Sequence, residues 1–152
     1  MFFFSKSKPV LKELIEDYVD IHSHLLPGID DGSKDLNMTI ELIQSLKKIG
    51  FSQFTATPHI IKNIWDNDKS QIEALLKTTS ADLMDRGITD PFRAAAEYMM
   101  DDSFSKLLKS EPLLTIKDNY ILVEMSYINP PMQLYDILFE IRVAGYQPIL
   151  AH

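Results

Sequence analysis

An α/β fold with a largely parallel sheet is predicted by three features of this 152-residue sequence. Short β-prone stretches alternate with longer segments of helical periodicity. Glycines stand at the ends of the helical segments. All four histidines fall at the carboxyl ends of the β-prone stretches. A chain that alternates in this way builds βαβ units, with parallel strands and right-handed crossovers.

The elements follow in order. Tyr18 to His22 is short and β-prone, and Pro27, Gly28 and Gly32 mark the loop after it. From Leu36 to Ile49 the residues Leu36, Ile40, Ile43, Leu46 and Ile49 form one apolar stripe, which Gly50 terminates. Phe51 to Thr57 reads as the second strand, followed by a loop through Lys62 to Asp68. Trp65 in that loop reads either as a residue facing a substrate or as a hydrophobic anchor, with the anchor favoured. A second helix is predicted from about Ser70 to Arg86, with Ile72, Leu75, Leu76 and Leu83 inward and Gly87 closing it. Phe92 to Glu97 is the third strand candidate, and Ser103 to Leu108 a short helix. Tyr120 to Met125 is the fourth strand. Pro130 and Pro131 open a helix through Leu134, Leu138 and Ile141 that ends at Gly145, and Gln147 to Ala151 is the last strand.

Composition narrows the function. With 22 acidic side chains against 15 basic, the net charge is −7, which argues against a general nucleic-acid binder. There is no cysteine, so disulfides, zinc–thiolate sites and a thiol nucleophile are excluded. Met1 to Phe4 is too short for a signal core, and Lys6 and Lys8 follow it rather than precede it. No apolar run approaches the roughly 20 residues that span a bilayer. Length and composition together predict one cytoplasmic domain over residues 1–152.

His22 and His24 leave the first strand, His59 the second and His152 the last, while Glu97 ends the third and Glu124 lies in the fourth. In parallel α/β folds the strand carboxyl ends build the site, so these groups are expected on one rim. Each has a plainer alternative: a lone histidine is commonly a cap or a core residue. His-x-His on a strand, however, puts both rings on one face. Glu124 between Val123 and Met125, and Glu97 before Tyr98, are carboxylates in apolar runs that need a cation or hydrogen bonds. Jointly they predict a metal centre. Asp30-Asp31-Gly32 reads as a turn, or as a loop bringing one carboxylate to the same rim. Imidazole and carboxylate without thiolate suit manganese, iron or zinc. Clustered ions of that kind fit phosphate-ester hydrolysis.

The ordered set Asp20-Ile21-His22-Ser23-His24, Pro27-Gly28-Ile29-Asp30-Asp31-Gly32, Thr57-Pro58-His59, Ala96-Glu97, Tyr120 to Glu124 and Pro148 to His152 resembles the polymerase-and-histidinol-phosphatase (PHP) superfamily. Within it, the set resembles the bacterial manganese-dependent tyrosine-protein phosphatases of capsule and exopolysaccharide operons. The resemblance implies a distorted (β/α) barrel holding up to three metal ions. It places His22 and His24 on the first ion, Glu97 between the first and second, Glu124 and His152 on the second, and Asp31 and His59 on the third. It favours Asp31 over Asp30, because the family's ligand directly precedes the glycine. The catalytic set it implies is His22, His24, Glu97 and Glu124, acting through a metal-bound hydroxide on phosphotyrosine in the tail of an autophosphorylating kinase. A histidinol-phosphate-type phosphatase of small molecules and a non-catalytic binding fragment are the alternatives.

The family continues from the final histidine into His-Pro-Glu-Arg and a later Asp-x-His, whereas this sequence ends at His152. The resemblance therefore implies an amino-terminal portion of a barrel that typically needs about 250 residues. Exposed barrel edges are then expected to promote self-association, and the first and third ions each to lack a ligand.

Overall fold

The computed structural model describes residues 17–152, so the reading of Met1 to Phe4 lies outside the described residues. The elements are β1 (Tyr18–Ser23), α1 (Leu36–Ile49), β2 (Phe51–Ala56), β3 (His59–Ile60), α2 (Lys69–Asp85), β4 (Phe92–Ala94), β5 (Glu97–Met99), α3 (Asp102–Ser110), β6 (Tyr120–Glu124), α4 (Leu134–Val143) and β7 (Gln147–Leu150). Among the described residues every strand pair is parallel, as the alternation predicts.

Two predicted strands are broken, and the break matters for function. The sheets are ordered β1-β2-β4 and β3-β5-β6-β7, so the second and third predicted strands each continue from one sheet into the other. The register survives: Phe54 pairs with Phe92 before the break and His59 with Glu97 after it, at the same sequence offset. Ala95 N–H donating to Ala56 O (2.8 Å) and Glu97 N–H to Pro58 O (3.0 Å) stitch the two parts together. Pro58 has no N–H to give the ladder, which locates the bend in the second strand. His59 and Glu97 thus open short strands instead of ending long ones.

The helices start where short side chains cap them. Asp35 accepts from the Met38 N–H, Asp68 and Gln71 form a reciprocal capping box, and Asp101 accepts from Ser103 and Phe104. Gly50, at φ 112°, ends α1 in the left-handed region. The fourth helix starts at Leu134 with no side-chain cap, so Pro130 and Pro131 lie in the preceding loop and not in the first turn.

Alternation along the strands separates two layers. Phe54, Ala56, Tyr98, Ile121 and Val123 pack with Ile43, Ile72, Leu83, Phe104, Ile137 and Ile141 from the helices in the main core. A smaller cluster of Ala95, Ile116 and Leu122 occupies the opposite strand face, with Ile149 and Ala151 against it. Glu97 and Glu124 follow Ala95 and Leu122 by two residues and so share that second face.

Candidate metal centre

The site is built around Glu97. Its side chain is 0% exposed, and among the described residues neither carboxylate oxygen has a hydrogen-bond partner. Four imidazoles surround it: His22 Nε2 at 3.7 Å, His24 Nε2 at 3.4 Å, His59 Nδ1 at 3.3 Å and His152 Nε2 at 3.4 Å. A buried carboxylate without hydrogen bonds costs several kcal/mol unless a cation compensates it. Metal–ligand bonds of about 2.0–2.2 Å put two donors of one ion roughly 3.0–3.5 Å apart. The spacing of the His22, His24 and His152 Nε2 atoms around Glu97 is close to that of donors that share an ion.

Each imidazole is fixed through Nδ1. His22 Nδ1 lies 2.7 Å from Thr57 Oγ1, His24 Nδ1 2.7 Å from Asp30 Oδ2, His59 Nδ1 2.7 Å from Glu124 Oε1, and His152 Nδ1 2.8 Å from Tyr127 Oη. Where the partner is a carboxylate, Nδ1–H donates and Nε2 is the nitrogen available to a metal. The Nε2 atoms of His22, His24 and His152 turn to Glu97, and that of His59 turns to Asp31 Oδ1 at 3.6 Å. Two triples have donor atoms close enough for one ion around Glu97, His22–Glu97–His152 and His24–His59–Glu97, and a third is His24–Asp30–Asp31.

The Asp-Asp-Gly loop sits where it does because Gly32 has no side chain. A Cβ there would collide with the Cβ and carbonyl oxygen of His24. Asp30 Oδ1 accepts from Gly32 N–H (2.9 Å), and Oδ2 accepts from His59 N–H (3.1 Å) as well as from His24. Both Asp30 oxygens are thereby engaged, and the carboxylate ties two imidazole-bearing segments together. Asp31 is 59% exposed at its side chain and free to approach an ion from the cleft. Asn67 donates to Ile29 O (3.1 Å) and His59 O (2.9 Å), joining the loop after β3 to the Asp-Asp-Gly loop.

Charge follows from these contacts. Burial works against a charged His24, but the hydrogen bond to Asp30 and the negative charge of nearby Glu97 outweigh it and hold the ring up to about 10. His59 is also raised: burial opposes the shift, and the Glu124 hydrogen bond overcomes it. His22 moves down, because burial exceeds the pull of Glu97 and His24 and His152 add repulsion. Burial opposes the lowering of Asp30 and Glu97, and the imidazoles beside them, His24 foremost, prevail.

All seven predicted residues come together. His24, Asp31, His59, Glu124 and His152 line one cleft of about 580 Å³, and His22 and Glu97 join it through His24 and His152. Glu124 Oε1 meets the cluster at His59, and His152 lies with His22 and Glu97. Trp65 stacks on His59 (centroids 4.8 Å, 14° between planes) and also lines the cleft. Thr57, Asn67 and Tyr127 escaped the sequence reading as site residues. Thr57 stood inside the Thr-Pro-His motif, whereas nothing in the sequence pointed to Asn67 or Tyr127.

The family model described as capsular polysaccharide synthesis, CpsB/CapC, matches residues 18–152. The chain belongs to this family. CapC of Staphylococcus aureus is 27% identical over 135 residues, covering 88% of this chain and 53% of the relative. The tyrosine-protein phosphatase YwqE of Bacillus subtilis is 26% identical over the same length, with the same coverage. A solved structure from work on YwqE of Bacillus subtilis and CpsB of Streptococcus pneumoniae, described there as unique metal-dependent tyrosine phosphatases, is similar with a TM-score of 0.80 at 25% identity. It matches 89% of this chain and 55% of its own. This CpsB/CapC-family chain thus spans about half the length of the relatives it matches. Among the described residues no helix is long and apolar enough to cross a membrane.

Proposed function

We propose that this chain holds the metal centre of a hydrolase that removes phosphate from tyrosine in proteins, with the tail of a bacterial tyrosine kinase as substrate. The observation that carries the reading is the buried, unpartnered Glu97 carboxylate with the Nε2 atoms of His22, His24 and His152 at 3.4–3.7 Å. His22, Glu97 and His152 would hold one ion, and His24, His59 and Glu97 a second. Asp31 adds a carboxylate on the His59 Nε2 side. Glu124 engages Oε1 with His59, leaving its other oxygen for a cation. Imidazole and carboxylate donors suit manganese, iron or zinc, and among these manganese is the ion that the family resemblance implies. Such ions, when bound, activate water and neutralise charge on the phosphoryl oxygens.

The protein's own part is positioning. Asp30, Thr57 and Glu124 fix imidazole orientation, and the cleft beside Trp65 and Tyr127 takes the aromatic ring of the substrate. No cysteine exists to form a thiophosphate, so direct attack by water is the expected route. The test is bound metal per chain together with release of phosphate from a phosphotyrosine peptide, with manganese and with excess chelator. Turnover abolished by chelator and restored by manganese supports the reading. A trapped phosphoenzyme, or full activity in chelator, overturns it. Metal and peptide binding without turnover would leave a binding module, and preference for histidinol phosphate would redirect the substrate.

We also propose that two copies associate. Tyr135, Phe139 and Val143 form an exposed apolar stripe at four-residue spacing on α4, and β7 is an edge strand with Leu150 exposed. Sedimentation should show a dimer that Phe139→Lys dissociates; a wild-type monomer at high concentration rejects the idea.

A further inference from the structure

Beside the metal cleft lies a second cavity, of about 260 Å³, between the loop after β3 and the start of α3. Trp65 and Met99 belong to both walls. Beyond them the smaller cavity is apolar, lined by Ile60, Tyr98, Phe104, Leu107 and Leu113. Small-molecule pockets run from about 300 to about 1,000 Å³, so this one suits a single side chain better than a whole ligand.

Its rim is acidic. Asp66, Asp68, Asp101 and Glu111 face two lysines. Both lysines are engaged, Lys62 with Asp66 (2.8 Å) and Lys69 with Pro112 O (3.2 Å). An acidic side chain entering here would be repelled at the rim and desolvated within; an apolar one meets neither penalty.

We propose that this cavity is a specificity subsite for an apolar side chain adjacent to the phosphotyrosine in the substrate polypeptide. The inference rests on the reading that the metal cleft receives the phosphotyrosine. Continuity through Trp65 and Met99 is what joins the two: a peptide held by its phosphate at the histidines passes over the Trp65 ring to reach the cavity. Extended peptides place neighbouring side chains a few Å apart along the backbone, so a nearby residue spans this short step.

The test uses the 152-residue chain loaded with manganese and follows emission of Trp65, the sequence's only tryptophan. The probes are N-acetyl phosphotyrosine amide and a series of polar phosphotyrosine peptides. In the series one leucine is moved through each position on either side of the phosphotyrosine. One leucine position should tighten binding by about tenfold over the all-polar peptide. Ser103→Phe, which fills the cavity away from the histidines, should remove that gain and leave the amide's affinity unchanged. An aspartate at the preferred position should bind more weakly than serine. If the amide binds but no leucine position gains, the subsite is wrong while the phosphotyrosine reading stands. The same holds if the leucine gain persists in Ser103→Phe. If the amide itself fails to bind, the phosphotyrosine reading fails and the subsite falls with it.

Discussion

The near side of the candidate metal centre, built by β1 to β3, differs from the far side, built after β6 and β7. On the near side Thr57 is fully buried, Asp30 has 0% side-chain exposure, and His59 is 12% exposed. On the far side His152 is 38% exposed and is oriented by Tyr127, itself 83% exposed. The inward nitrogens lie at similar distances from Glu97 on both sides. What differs is how firmly each ring is held from behind. On the near side more of the groups that hold an imidazole from behind are themselves buried, and such groups set the accuracy of any ligand they orient.

Glu97 is common to both sides, so its loss should have the largest effect. Glu97→Gln removes the shared carboxylate charge from both triples. Wild-type protein should gain thermal stability with manganese, by about 2.7 kcal/mol at a hundredfold excess over Kd. The variant should lose that gain and all turnover. A manganese-dependent melting shift of wild-type size in Glu97→Gln would remove Glu97 from the centre of the site.

Asp30→Asn tests the near side itself. The amide keeps the shape but loses the charge that orients His24, and losses of this type weaken metal affinity by roughly 10- to 100-fold. Calorimetric titration with manganese measures it directly. Wild-type affinity in the variant would show that His24 is held by packing alone.

Much of this arrangement was readable in advance, for identifiable reasons. Strand ends gather polar groups in parallel α/β folds, and period-two alternation put His22 and His24 toward one carboxylate. The apolar stripe of α1 and its glycine stop likewise have purely local causes. The broken strands were less accessible: Phe92 to Glu97 reads as continuous because its register is indeed continuous, and the division appears only where the two sheets part. Glu124 contacting His59 is a long-range choice between carboxylates that no spacing encodes. The resemblance favours Asp31 over Asp30 as a ligand, and the geometry gives the two acids different surroundings. Asp30 is engaged on both oxygens, whereas Asp31 is exposed to the cleft.

Protonation offers a graded test of the same asymmetry. His24 is held up to about 10 and His59 is raised, whereas His22 is lowered. A raised histidine stabilises the metal-free fold fully below its ordinary 6.5, and that contribution is lost as pH climbs toward about 10 in the case of His24. Metal binding needs neutral imidazoles, so it must displace those protons and should strengthen with pH over the same interval. The expected slope is about tenfold per pH unit for each proton displaced. His22 already tends to the neutral form and contributes little. Asp30→Asn should flatten the slope, because His24 then loses the neighbour that keeps it charged. A slope unchanged in that variant would separate the pH dependence from the near side.

The smallest effect belongs to Tyr127. Its hydroxyl lies 2.8 Å from His152 Nδ1 and 3.3 Å from Nε2, and its ring stacks on the imidazole at 5.1 Å with 9° between planes. Tyr127→Phe deletes the hydrogen bond and keeps the stacking surface. An exposed neutral hydrogen bond competes with water and is worth at most about 1 kcal/mol. Manganese affinity should therefore fall by no more than about fivefold, well short of the Asp30→Asn loss. Tyr127→Ala removes the stacked ring too and should cost more than Phe, since the ring then no longer limits rotation of His152. If Tyr127→Phe instead weakens manganese as much as Asp30→Asn, His152 is held as tightly as the near-side histidines. The contrast drawn from burial would then be wrong, and the exposed loop after β6 would have to be counted among the determinants of metal geometry.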